Sequence, residues 1–369
     1  MTFLVAILLL LATACWFLIA RAPAMHEHFG RTDVGPLQVA SAAADIRYFA
    51  QSFQQFVNAR LVALRGDTQD EEPRVDTLPD GSGVWYASQS PRPKRVFERA
   101  TAEQVTQGLV VIAECDLEVA AGVQVLKELY TSGRLDAVQD CVFRAVLTGG
   151  DVQMGPRCEV LRWVNASGAL VVGKDSTLWG RASSSGTMML AEGARFQRLG
   201  APRIETVGPA RARTVAAREL RPMAPPRNVT VFASRWVVTG DLTIPPGHVV
   251  GVDLIVSGTL RVGRGSAIAG AVRCDVLLAG EEAVFTRSVI GESSLTFGTG
   301  CEVAGPVVAE GTTMIGDHSH VGSDEAQTTI SAPLVKLGSG VVVCGEIWAR
   351  HQGLVTPMAG SASTDIVAA

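Results

Sequence analysis

The chain has 369 residues, of which 47% are hydrophobic and 18% are charged, and its formal net charge is −4. This length is enough for a large core, and 38 glycines beside 6% aromatic residues favour a fold with many tight corners. The charge balance argues against a nucleic-acid-binding protein, which would carry a basic excess.

The N-terminal segment predicts a membrane anchor. Residues 2–20 are uncharged and almost wholly apolar, and as a helix they would reach about 28 Å, close to the hydrocarbon thickness of a bilayer. A cleaved signal peptide is the alternative, but it would have a basic start and a shorter apolar core. Arg21 and Arg31 follow the span and no Lys or Arg precedes it. The positive-inside rule therefore predicts a single-pass protein of the inner (cytoplasmic) membrane, with the rest of the chain in the cytoplasm.

An amphipathic helix is predicted over residues 39–65. Its apolar residues follow a spacing of three and four: Ile46, Phe49, Phe53, Phe56, Val57, Leu61 and Leu64. We expect this helix to pack on its own domain, and a coiled coil or a membrane-surface contact is the alternative. The next residues are acidic and rich in Pro, Gly and Ser, which is typical of a linker, although Val84, Trp85 and Tyr86 are compatible with a short strand.

From residue 117 onward the chain repeats a unit in which apolar residues stand at a first position and again two and eight positions later. Only Thr313, at a first position, and Ala137, two positions after one, fall short of a large apolar residue. The first residues of eleven such units are Leu117, Leu135, Val152, Leu170, Met188, Leu242, Leu260, Val276, Leu295, Thr313 and Val335. Within each block the units lie 16 to 19 residues apart, except for one step of 22 before Val335. This period predicts an all-β fold, a parallel β-solenoid. A β-sandwich is the alternative, but it gives no reason for so constant a register.

The alternation of side chains within each unit predicts three sides of about six residues. The sixth position after the first is usually small, and the cysteines found there are interpreted as core fillers in a reducing compartment: Cys141, Cys158 and Cys301. The residue five positions after the first, called the fifth position below, is Gly in six units, which predicts a corner with a positive φ angle. The other five units carry Asp140, Arg157, Asp175, Glu281 and His318 there.

These patterns divide the chain into seven segments. They are a transmembrane anchor (1–21), a juxtamembrane amphipathic helix (22–66), a linker (67–108), a first solenoid block (109–204), an irregular excursion (205–235), a second solenoid block (236–352) and a disordered tail (353–369).

Catalytic chemistry is sought among the histidines of the repeats: His248, His318, His320 and His351. Left-handed β-helix acyltransferases use a catalytic His, and Ser266–Ile268 resembles their hexapeptide repeat, so this activity is the alternative function. Asp317 beside His318 and His320 falls short of the three or four ligands of a zinc site. Aspartates that recur beside the first position are interpreted as exposed corner residues: Asp116, Asp136, Asp151 and Asp241. We therefore expect no catalytic site, metal or cofactor.

Some repeats carry a family resemblance. Gly240–Ile244, Gly258–Gly263 and Ala269–Val272 resemble the repeats of bactofilins, which are polymer-forming cytoskeletal proteins of bacteria. The resemblance implies a right-handed, three-sided β-helix over roughly residues 109–350. It further implies a structural scaffold that associates with itself. The anchor predicted at residues 2–20 would attach this scaffold to the membrane, and the lack of a convergent polar constellation indicates that it is not an enzyme. The expected partners are other copies of the chain, the membrane through residues 2–20, and cell-envelope proteins.

The C-terminal turn is the predicted site of self-association. A solenoid ends in unpaired backbone groups and an exposed apolar cross-section, which form a template for stacking. The residues expected to stack end to end with another copy are Leu337, Val341, Val343 and Trp348.

Overall fold

The computed structural model describes residues 45–65, 72–78, 81–96, 108–209 and 220–356. The predicted anchor at 2–20 and the part of the predicted tail beyond residue 356 lie outside these ranges. Within them, no helix has the length and apolar character needed to cross a membrane. The chain divides into two units, Met1–Asp45 and Ile46–Ala369, and every helix and strand described lies in the second.

The first block contains the helix α1 (Tyr48–Arg65) and the following strands: β1 (Arg74–Thr77), β2 (Gly83–Ala87), β3 (Lys94–Val96), β4 (Val110–Ala113), β5 (Leu117–Val119), β6 (Gln124–Thr131), β7 (Leu135–Ala137), β8 (Val142–Thr148), β9 (Val152–Met154), β10 (Glu159–Ala166), β11 (Leu170–Val172), β12 (Thr177–Ser184), β13 (Thr187–Leu190) and β14 (Arg195–Thr206).

The second block contains β15 (Arg221–Pro222), β16 (Val229–Val231), β17 (Arg235–Val238), β18 (Leu242–Ile244), β19 (His248–Val250), β20 (Asp253–Val262), β21 (Ala267–Ile268), β22 (Val272–Ala279), β23 (Val284–Phe285), β24 (Val289–Phe297), β25 (Glu302–Val303), β26 (Val307–Ala309), β27 (Thr312–Ile315), β28 (His320–Val321), β29 (Thr328–Leu337) and β30 (Val342–Val355).

Three parallel ladders run through each block, and each turn of the chain adds one rung to every ladder. In the first block these ladders are represented by the pairs Leu170–Met188, Val160–Leu178 and Val164–Ala182. The predicted parallel β-solenoid is therefore confirmed. It has about 13 turns rather than eleven. The additional turns lie at the ends of the blocks. There β2 and β3 occupy part of the predicted linker, and β30 continues into the predicted tail.

The corners of the turns have the backbone conformation that the sequence predicts. Glycines at the fifth position have φ angles of 63° to 76°: Gly122, Gly193, Gly247, Gly265, Gly300 and Gly340. Four of the five other predicted corners have φ angles of 55° to 58°: Asp140, Arg157, Asp175 and His318. The remaining corner is Glu282, with a φ of 57°, and not Glu281.

The position of this corner shows that the predicted register is wrong in one repeat. Leu277 and Ala279 are buried, whereas Leu278, which was predicted to face inward, is 42% exposed. Phe285 is buried in place of the predicted Val284, and it packs against Phe297 with ring centroids 5.4 Å apart. The predicted start of this repeat at Val276 is therefore wrong by one residue, which moves every side chain of a strand to the other face.

Small and polar residues at the corners stabilise the stacking of one turn on the next. The carboxylate of Asp116 accepts a hydrogen bond from the backbone N–H of Arg134, and that of Asp241 accepts one from Thr259, each at 2.8 Å and one turn along the chain. These aspartates hold the corners together and do not converge on one site. Cys141, which was predicted to fill the core, is buried and free, as are Cys158 and Cys301.

The helix α1 lies along the outside of the first block, which confirms the prediction that it packs on its own domain. It covers outward side chains of successive turns, including Tyr130, Leu147 and Trp163, and Phe53 meets the Trp163 ring at 5.8 Å. Eighteen residues of helix span about 27 Å, which is the height of about six stacked turns at roughly 4.8 Å each. The helix thus reaches across most of the block.

A buried carboxylate attaches the C-terminal end of α1 to the first turns. Glu114 accepts a hydrogen bond from Arg65 and another from the Tyr86 hydroxyl, both at 2.6 Å. Burial alone would raise the pKa of Glu114, but these two hydrogen bonds hold the pKa below its usual range. The contact therefore stabilises the fold at neutral pH, and its contribution is lost as the pH falls through the folded-state pKa.

The two blocks meet at their C-terminal ends. The first block winds from β2 towards β14 and the second from β17 towards β30, and β14 pairs with β30 in the antiparallel direction. This pairing, called the joint below, stacks the blocks as one solenoid. Between them, the excursion at 205–235 supplies the end of β14 and then β15 and β16, which pair at the opposite end of the second block.

Candidate functional site at the joint

The four residues predicted to mediate self-association lie in the joint or one turn away from it. Leu337, Val341 and Val343 are each at most 1% exposed. Val343 pairs with Ile204 of the first block, and Trp348 pairs with Arg198. The expectation that this turn ends in unpaired backbone is therefore wrong, because β14 covers it within the same chain. Self-association as such stays a prediction, but in this conformation the buried side chains of Leu337, Val341 and Val343 are not available for it.

The joint carries the core from one block into the other. Its pairs include Ile204 with Val343 and Leu199 with Ile347, and all four of these side chains are buried. At a third place the backbone of Gly353 lies against the Phe196 ring, where an added Cβ would stand 2.0 Å from a ring carbon. The ring occupies the space of a side chain, so only glycine fits there.

A buried threonine joins the two blocks through hydrogen bonds. The Thr206 hydroxyl donates to the carbonyl oxygen of Gly338 at 2.7 Å and accepts from the N–H of Val341 at 2.8 Å. Both partners lie in the last turns of the second block, more than 130 residues away in sequence. The joint thus satisfies polar groups that a free solenoid end would leave open.

A groove crosses the outer surface of the joint. It has a volume of about 490 Å³ and is lined by side chains from both blocks and from the start of α1. We call it the guanidinium groove, after its characteristic residues: Phe49, Arg162, Arg181, Arg198, Trp348 and Arg350. Sequence reasoning missed it because Arg198 and Trp348 become neighbours only through the joint.

The histidines that were considered for catalysis do not converge on a site. His248 belongs to β19, with Nδ1 3.0 Å from the Pro246 carbonyl oxygen, and His318 and His320 stand at a corner several turns away. The Asp317 carboxylate accepts a hydrogen bond from the N–H of Ser339 at 2.8 Å, one turn on. Across the part of the chain that the structure describes, no three His, Cys, Asp or Glu side chains are grouped to hold a metal ion.

No family model, curated protein or solved structure matches this chain. The function is therefore inferred from the geometry of the solenoid, of its ends and of the guanidinium groove.

Proposed function

We propose that the chain is a membrane-anchored structural scaffold, similar to bactofilins, whose solenoid lies on the cytoplasmic side of the inner membrane. In this proposal the solenoid has three sides and the right hand that the resemblance implies. The observation that carries it is the joint, which stacks two blocks into one continuous solenoid of about 13 turns. At roughly 4.8 Å a turn this gives a length of about 60 Å. A long stack of short, corner-linked strands suits a mechanical spacer or a platform for partners.

Self-association, in this proposal, uses an outer end of the solenoid because the C-terminal ends are occupied by each other. On one side, the outer end of the first block is covered by β1, which pairs with β2 and carries the charged residues Arg74 and Asp76. On a second side the edge strand is β3, which carries Lys94 and Arg95. Charges on an edge strand oppose pairing with another chain. This end is therefore protected against stacking.

The outer end of the second block is less protected. One of its edge strands, β16, pairs with β17 and with no other described strand, and it carries no charge. Val231 and Phe232, at its end, are 54% and 52% exposed. An uncharged edge with exposed apolar side chains is a template for antiparallel pairing with a second copy. We therefore place the self-association contact at β16.

The test is the oligomeric state of the full chain in detergent, measured by sedimentation. We expect the unmodified chain to form dimers, and Val231→Lys to weaken the dimer at least tenfold, because a charged lysine on an edge strand opposes pairing with another chain. Val75→Lys, at a position on β1 that is 65% exposed, is the matched control and should not change the dimer. A chain that remains monomeric at every concentration would leave only a membrane-tethered, monomeric scaffold.

A further inference from the structure

One corner of the first block presents an outward column of large side chains. The column lies between the ladder of Val160 and that of Val164, at the residue that follows the inward one in each turn. In successive turns of the first block this residue is Leu126, Arg144, Leu161, Trp179 and Gln197. In the first four repeats of the second block the same position carries Gly251, Ala269, Thr286 and Ala304. Large apolar side chains there are therefore a property of the first block and not of the repeat.

Two aromatic residues at the start of α1 extend this column into a patch. The Tyr48 and Phe49 ring centroids lie 5.5 Å apart, and Phe49 lines the guanidinium groove together with Leu161. The indole Nε1 of Trp179 donates a hydrogen bond to Glu159 Oε2 at 3.3 Å, which orients its ring at the corner. We call this patch the aromatic edge, and its members are Tyr48, Phe49, Leu126, Leu161 and Trp179. Each member is between 39% and 49% exposed, so the patch is open to a partner.

Charged side chains flank the aromatic edge. Arg144, in the same column, forms an ion pair with Glu128 at 3.4 Å. The exposed residues Lys127 and Arg162 each directly follow one of the two leucines of the edge. Trp, Tyr and Leu beside Lys and Arg is the composition with which proteins enter the headgroup region of a bilayer. The residue types therefore favour a lipid surface as the partner.

The shape of the aromatic edge also favours a flat surface. Three rungs separate Leu126 from Trp179, which at roughly 4.8 Å a rung is about 14 Å along the solenoid axis. Peptide segments are commonly bound in a groove or along a free strand edge. Leu126 and Trp179 lie outside the groove, and their strands are paired on both sides. A row that projects from a corner can contact a bilayer at all of its points.

The course of the chain supports the same partner. The unit that contains the solenoid begins at Ile46, two residues before Tyr48. In the sequence, 24 residues (21–44) separate the predicted anchor at 2–20 from Asp45. A tether of limited length raises the effective concentration of a second contact with the same surface. The aromatic edge therefore needs only a weak affinity of its own for lipid.

We propose that the aromatic edge inserts into the headgroup region of the bilayer, so that the solenoid lies with its axis parallel to the membrane. This inference rests on the proposed membrane-anchored scaffold, for which it names the surface that faces the lipid. Because Tyr48 and Phe49 belong to α1, the edge is complete only while that helix is docked on the first block.

The experiment measures quenching of tryptophan fluorescence by phosphatidylcholine brominated on its acyl chains, with the full chain reconstituted in vesicles. Trp16 lies in the predicted anchor, so every variant also carries Trp16→Phe. We expect the brominated lipid to quench the emission, and Trp179→Phe to reduce this quenching at least twofold, because an interfacial Trp lies at the headgroup level. Trp236→Phe, which removes a buried tryptophan of the second block, is the matched control and should leave the quenching unchanged.

A second comparison keeps all the remaining tryptophans in place. Leu126→Glu/Leu161→Glu adds two negative charges to the aromatic edge and should also reduce the quenching at least twofold, because the edge loses apolar contact with lipid. Ala269→Glu/Ala304→Glu adds the same charges at the same position of the second block, where both residues are exposed, and should leave the quenching unchanged. Circular dichroism checks that each variant keeps its fold.

The outcomes separate this contact from the anchored scaffold. A chain that resists extraction by alkaline carbonate but shows no quenching at Trp179 would overturn the membrane contact alone. An equal loss in the Ala269/Ala304 variant would overturn it too, because the effect would not depend on the edge. A dimer that is lost in the Leu126/Leu161 variant, without quenching, would assign the edge to a second copy instead. A chain extracted by carbonate would refute the membrane-anchored scaffold, and the contact with it.

Discussion

The substitution Val343→Arg is expected to destabilise the solenoid by roughly 3–5 kcal/mol, because it leaves a guanidinium group unpaired between the two blocks. Val343 is fully buried and pairs with Ile204 across the joint. Denaturant unfolding of the full chain, followed by circular dichroism, measures the effect. His351→Arg, on the exposed side of the same strand, is the control and should change stability by less than about 0.5 kcal/mol.

A free C-terminal end, as predicted from the sequence, would give a different result. If the C-terminal turn were a free end, Val343→Arg would abolish assembly while leaving the fold largely intact. In the joint the same side chain belongs to a shared core, so stability changes first. A Val343→Arg protein that unfolds like the unmodified chain would show that Val343 is not buried against the first block.

The substitution Ile268→Asp should be at least as damaging, with a loss of about 4 kcal/mol or more from a buried, unpaired carboxylate. Ile268 is fully buried and stands in a ladder between Val250 and Phe285. Burial raises the pKa of the new carboxyl group, so the loss should shrink as the pH falls and the group becomes neutral.

Thr243→Asp is the matched control for this substitution, because Thr243 faces outward from the same block. Thermal melting at two pH values, one neutral and one near 4, separates the two variants. An Ile268→Asp protein with a normal melting temperature at neutral pH would contradict the inward register of this ladder.

The repeats could be predicted because stacked turns constrain each residue in the same way. Every inward position needs an apolar side chain and every corner needs a positive φ, so the pattern recurs along the chain. The prediction of the register failed at the one place where this constraint leaves no trace in the sequence. Val276–Ala279 is a run of four apolar residues, and in such a run alternation cannot fix which side chains point inward.

The first turns and the docked helix were only partly visible in the sequence. The strand β2 stands among Gly, Pro and acidic residues that also characterise linkers. A signal for the helix was present, since Tyr130, Leu147 and Trp163 are large residues on the outward side of their strands. An outward apolar column on a solenoid face needs a cover, and α1 supplies it.

The joint could not be predicted, because a strand edge has the same local sequence whether its partner is another copy or a distant part of the same chain. Arg198 and Glu346 meet across the joint although they are 148 positions apart in the sequence. The long excursion at 205–235 was compatible with any placement of the second block. Only the folded chain shows that it leads to the far end of that block and allows the two C-terminal ends to meet.

The most direct test of the joint is a disulfide between two engineered cysteines, Arg195→Cys and Leu354→Cys. These positions are directly paired across the joint, and opposite residues in an antiparallel pair have Cα atoms about 4.5–5.5 Å apart, within disulfide range. We predict that mild oxidation forms this bond within one chain, detected by mass spectrometry of the monomer. The control pairs Arg195→Cys with Lys336→Cys. Lys336 lies one rung further from Arg195 than Leu354 does, so this pair should not form the bond. A disulfide found only between copies, or formed equally with Lys336→Cys, would contradict the joint.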